Sequence, residues 1–206
     1  MATRHEAIHT KEFRLIVLFC YTNYVISIKF EEVMKMKYGI VAFPSKKVQD
    51  FANSYRKRYD PHYSLITPHM TIKGVFEADE NEIKIIAKKV ANVLKKHTPL
   101  TLKTSKVSSF APVTNALYLN INPTEELVSL HDDLNSIEYN DVESYTFVPH
   151  ITIAQKLSAT EHDDIYPQLK MIGVDFEEMI DRLHLLYQLE DGSWTVYETF
   201  ILAGDE

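Results

Sequence analysis

Cysteine is almost missing from this chain: Cys20 is the single one among 206 residues. No intrachain disulfide can form, and neither a cysteine-based zinc site nor a redox pair can be assembled. A reducing compartment, the cytoplasm, is the natural expectation. Basic charge is also short, with 22 Lys and Arg against 29 Asp and Glu, a formal net charge of -7. That balance disfavours a strong non-specific grip on nucleic-acid backbone, which needs a basic face, although a local basic cleft can coexist with an acidic exterior. A small or terminal phosphate ligand suits it better. Long hydrophobic runs are lacking too. The most membrane-like stretch, Phe13 to Ile28, is short for a span and is interrupted by Thr22 and Asn23. The basic residues before it resemble a secretory signal, but no small-x-small cleavage site follows.

What is present is ordinary globular composition, 45% apolar and 25% charged, in a chain long enough to bury about two-thirds of its unfolded surface. The regular pattern starts abruptly at Met36. Residues 1–35 are therefore read as a leader or non-domain extension, against the alternative of an N-terminal element packed on the domain, and residues 36–206 as the domain.

From Met36 the chain reads strand, helix, strand, helix, strand, and then repeats. Ser45 is the expected N-cap of a first helix with Val48, Phe51, Ala52, Tyr55 and Tyr59 on its apolar stripe. Asp79 with Glu82 forms a capping-box pattern before the stripe Ile83, Ile86, Ala87, Val90 and Leu94. A strand from Leu100 to Phe110 closes the first unit. The second opens on the alternating segment 115–122, continues with a helix started by Pro123 and carrying Leu127, Leu130, Leu134 and Ile137, and then a short helix capped at Thr160 with Asp163. Two strands joined at Asp191-Gly192 finish the chain.

Each unit contains the same pentapeptide pattern, Pro-His-x-Thr-Ile, at Pro68–Ile72 and Pro149–Ile153. Residues i and i+2 of a strand share a face, so His69 projects with Thr71 and His150 with Thr152. Two imidazoles and two hydroxyls supply a base, an acid and donors for phosphoryl oxygens, the set that phosphoester chemistry requires. An unperturbed pKa near 6.5 would let one ring be neutral and the other protonated at neutral pH, with no metal needed. Lys73 and Lys156 extend the two faces and are candidate substrate contacts. Each histidine alone would more often be structural; the matched pair favours catalysis. No carboxylate or histidine cluster completes a metal-ligand set, and the remaining histidines have no ligand spacing. The run Arg56-Lys57-Arg58 is read as the solvated side of the first helix, with RNA contact as the alternative. Phe110, Tyr118, Trp194 and other aromatics are either core or stacking surfaces for a base.

The two tetrapeptides His69-Met70-Thr71-Ile72 and His150-Ile151-Thr152-Ile153, one in each half of a duplicated domain, resemble the 2H phosphoesterase superfamily. Over residues 36–206 the chain is most similar to the bacterial YjcG-like phosphoesterases. The resemblance implies an α+β fold of two pseudo-symmetric lobes, each an antiparallel sheet with outer helices, facing across a central cleft. It implies a metal-independent hydrolase without cofactor, acting on a cyclic phosphate or 2'-5' phosphodiester of a nucleotide or RNA end, with His69 as proton donor and His150 as acceptor. An RNA- or nucleotide-binding module using the same cleft without turnover is the alternative.

Overall fold

The structure, a computed structural model, describes residues 11–17, 28–139 and 146–204. Cys20 and most of the Phe13 to Ile28 stretch lie outside them. Strands β1 (Lys11–Val17) and β2 (Ile28–Met34) pair antiparallel as a two-stranded sheet of their own. The strands from Met36 onward build a second, eight-stranded sheet.

The expected order of elements is present. Strand β3 (Met36–Ala42) leads into α1 (Lys46–Tyr59), β4 (Met70–Ala78), α2 (Glu80–Leu94) and β5 (Leu100–Ser109). The second unit follows as β6 (Leu117–Ile121), α3 (Glu125–Asn135), β7 (His150–Ala154), α4 (Ala159–Lys170), β8 (Glu177–Ile180), β9 (Arg182–Gln188) and β10 (Trp194–Ile201).

Helix α2 starts as its sequence dictates. The Asp79 carboxylate accepts from the N–H groups of Asn81 and Glu82, and the Glu82 carboxylate accepts from the Asp79 N–H. Its buried residues are the five of the predicted stripe, each worth about 1.5–3 kcal/mol of apolar burial for the larger side chains. Other caps differ from expectation. Ser45 makes no side-chain cap; its N–H donates instead to Glu178 at 2.9 Å. Thr124, one residue after Pro123, caps α3 through its hydroxyl, and Ile137 lies beyond that helix yet is buried. Helix α4 is capped by Ser158 with Glu161, two residues before the expected Thr160 and Asp163. A serine with a glutamate three residues on closes both arms of a capping box, which an aspartate is too short to do.

Strand order in the large sheet is β10-β9-β3-β4-β7-β6-β5-β8, antiparallel throughout. The class is α+β with two similar antiparallel halves, as expected, and each half has four strands. The halves do not form separate facing sheets, however. They join edge to edge between β4 and β7 through the single pair Met70↔Ile151, giving one curled sheet. The sequence units are also exchanged between halves. Strand β5 leaves the first unit to pair with β6, and β9 leaves the second to pair with β3. Helix α1 packs on β7 and α3 on β4, so each covers the other unit's motif strand. The core lies between the helices and one face of the sheet, where Ile40, Met70, Ile72, Leu119, Ile151 and Ile153 are at most 1% exposed.

Candidate active site

The central β4–β7 junction brings the two motifs together. Carrying its antiparallel register one residue either way from Met70↔Ile151 sets His69 opposite Thr152 and Thr71 opposite His150. All four share the face turned from the core, because Met70 and Ile151 between them point into it. His69 and His150 are therefore diagonal neighbours, roughly 7–8 Å apart by strand geometry, room for a phosphoryl group. They sit on adjacent strands, one in each half of the sheet.

The surroundings of the two rings repeat. His69 Nδ1 lies 2.7 Å from the Thr67 carbonyl, and His150 Nδ1 lies 2.7 Å from the Val148 carbonyl. A carbonyl accepts only, so Nδ1 carries the proton in both rings. The proline of each motif has no N–H to continue a ladder, and the carbonyl before it is taken up by the ring two residues on. Each Nε2 is thereby left as the acceptor in the neutral ring, or as a donor once protonated. Phe110 and Tyr118 stack on each other at 4.2 Å and meet the His150 ring edgewise at 4.9 and 5.2 Å.

Burial lowers the pKa of His69 from 6.5 to about 4; the Arg56 guanidinium and His150 add to the effect, while its hydrogen bond to Thr67 opposes it. Burial lowers His150 as well, against the Val148 hydrogen bond. Both shifts favour the neutral ring at pH 7, where the sequence had suggested one ring of each form. A bound phosphate anion reverses the imbalance, since it favours the charged ring.

The two lysines behave differently from their strand-period expectation. A β-bulge in β4 sets Val41 opposite Thr71 but Ile40 opposite Lys73, which inserts Ile72 as an extra residue. Lys73 then falls on the side of Ile40, the core side. It is 3% exposed, with its ammonium 4.7 Å from the centre of the Tyr139 ring. Lys156 lies past the end of β7 in left-handed backbone, φ 56°, and its Nζ is 3.2 Å from His62 Nε2. His62 lies in the loop that leads to His69. Lys73 is not in the row of His69 and Thr71.

Arg56 is also not where the sequence reading put it. Lys57 and Arg58 are exposed, but Arg56 is 2% exposed and pairs with Asp60 at 2.8 Å. Its guanidinium also donates to the carbonyls of His62 and Ile66, at 3.3 and 2.8 Å. Asp60 in turn accepts from Gln155 of the second motif's strand end and from the His62 N–H. This buried cluster fixes the loop that delivers Thr67, Pro68 and His69. No local signal distinguishes Arg56 from its basic neighbours except its helical spacing, four residues after Ala52 and eight after Val48.

An antiparallel α+β sheet with two His-x-Thr strands paired at its centre defines the 2H phosphoesterase class. The family model of the 2'-5' RNA ligase superfamily matches residues 44–192, and the chain belongs to that family. It is 58% identical over 168 residues to a Bacillus licheniformis protein curated as "Putative phosphoesterase", covering 82% of this chain and 99% of that one. A Geobacillus kaustophilus protein of the same name is 54% identical over 171 residues, covering 83% and 99%. Among solved structures, Escherichia coli LigT complexed with 3'-AMP superposes with a TM-score of 0.62 at 12% identity, over 82% of this chain and 98% of LigT. A Thermus thermophilus protein gives 0.62 at 16%, over 83% and 100%. These two show the fold. The protein is a phosphoester hydrolase of the 2H type.

Proposed function

We propose that the enzyme hydrolyses a cyclic phosphate or a 2'-5' phosphodiester of a nucleotide or RNA end, without metal, in the cytoplasm. The carrying observation is the repeated ring environment. Two histidines, each with Nδ1–H held by the carbonyl two residues back, flank the one residue pair that joins the two motif strands, and strand geometry supports both Nε2 atoms and both threonine hydroxyls serving one phosphoryl group. For a 2',3'-cyclic phosphate the balance is simple. Water attacks phosphorus and gives its proton to His150. One ester P–O bond breaks, and the departing oxygen takes a proton from His69, leaving a phosphomonoester. His69 as donor and His150 as acceptor follow the family pattern. Thr71 and Thr152 donate to the non-bridging oxygens. The anionic substrate supplies the driving force that protonates His69 on binding.

Among the described residues, no three His, Cys, Asp or Glu side chains come together as a metal-holding group, and none of the helices there is long and apolar enough to cross a membrane. The test is incubation with 2',3'-cyclic nucleotides and 2'-5' linked oligonucleotides in EDTA, with products followed by phosphorus NMR. Turnover that persists in chelator supports the reading. Loss of turnover restored by one divalent metal would move the mechanism to a metal class, and bound but intact substrates would make the cleft a binding module.

A further inference from the structure

The row of cross-strand partners that contains Thr71 and His150 continues across the second half of the sheet. His150 is paired with Asn120 on β6, and Asn120 with Lys106 on β5. Direct partners share a face, so Asn120 and Lys106 stand on the side of the catalytic histidines. Their neighbours Leu119 and Val107 are buried on the opposite side. Asn120 is half-buried and its amide donates to Ser105 Oγ at 3.0 Å, which fixes its orientation along the row. Lys106 is exposed and has no hydrogen-bond or ion-pair partner among the described residues. Its neighbour Lys103, by contrast, is held by Glu177 at 2.9 Å.

Resting on the phosphoesterase reading of the site, we propose that Asn120 and Lys106 form a subsite for a second phosphate, so that the substrate carries a phosphate beyond the one that reacts. Two strand spacings, roughly 10 Å, separate the backbone of Lys106 from that of His150, and the lysine stem spans part of that gap. A group at this distance serves the next phosphate of a nucleotide chain or the far phosphate of a nucleoside bisphosphate, not the one between the histidines. In a protein with a net charge of -7, an ammonium on the site face without an acidic partner among the described residues supplies a local attraction for a phosphate. Asn120 adds a neutral donor between the two positions, where an oxygen of the linking sugar or phosphate would pass.

Calorimetric titration with adenosine 3'-monophosphate and adenosine 3',5'-bisphosphate at low salt tests this directly. The wild-type protein should prefer the bisphosphate by about tenfold, the scale of one added charge-assisted contact. Lys106→Ala should abolish the preference while leaving the monophosphate affinity unchanged, and Lys106→Arg should retain it. The salt dependence of bisphosphate binding should fall by about one counterion in the alanine variant. Lys106 is exposed, so a thermal melt equal to wild type is expected and confirms that the variant is folded. No preference in the wild type, a preference that survives Lys106→Ala, or equal weakening of both ligands would each overturn the subsite. The outcome is separable from catalysis: a Lys106-dependent preference in a protein that hydrolyses nothing would keep the subsite and remove the enzyme, whereas turnover without the preference would do the reverse.

Discussion

His69 and His150 are held alike but are not equivalent. Both rings have their pKa lowered by burial, and His69 reaches about 4. Replacing either by alanine should lower turnover on the order of a hundredfold or more, measured as kcat on a cyclic nucleotide. The pH dependence of phosphate binding follows from the sign of the shift. An anion raises the bound pKa of a ring, so between the free and bound values binding takes up a proton, and inorganic phosphate should bind more tightly as pH falls from 7 towards 5. Stability moves the other way in the open protein. A histidine whose folded pKa is lowered costs nothing above its unfolded value of 6.5, and stability is lost as pH falls from there towards 4. Added phosphate should therefore raise the melting temperature more at pH 5.5 than at pH 7.5; equal shifts would mean that the rings do not protonate with the ligand. Of these residue-scale features, the two His-Thr pairs were legible because a strand has period 2. Lys73 was misplaced by the same rule, since a bulge inserts one residue into the count at Ile72 and no turn or glycine in the sequence announces it before Lys73.

At the scale of elements, what the sequence showed well were the amphipathic stripes: α2 buries the five residues its spacing picks out. Caps were less legible where two candidates compete within a few residues, as Ser158 and Thr160 do before α4. Strand partners were legible only for the β9–β10 hairpin, announced by Asp191-Gly192, because alternation says which face a residue takes but not which strand lies beside it. The cluster around Arg56 couples these levels. It joins the last turn of α1 to Asp60, to the carbonyls ahead of His69, and through Gln155 to the end of β7. Arg56→Ala leaves the Asp60 carboxylate, 1% exposed, without its cation. We expect the unfolding free energy to fall by about 3–5 kcal/mol in denaturant titration, far beyond the effect of Lys57→Ala beside it. An Arg56→Ala variant as stable as wild type would show that the pair is incidental to the loop.

For the whole molecule, the separate β1–β2 sheet and the eight-stranded sheet share no strand pairing among the described residues. Deleting residues 1–35 should leave a protein with unchanged kcat and a melting temperature within a few degrees of the full chain. A truncated protein that aggregates or melts far lower would make the first sheet part of the domain. The exchange of β5 and β9 between the halves has a different consequence. Cutting the exposed segment between β5 and β6 would give two fragments, the first holding β5 without β6 and β8, the second holding β9 and β10 without β3. Neither can complete a four-stranded half, so each should remain largely unfolded alone and the two should regain structure and activity only on mixing. The halves of this chain thus relate to one another as the subunits of an interlocked heterodimer that happen to share a peptide bond.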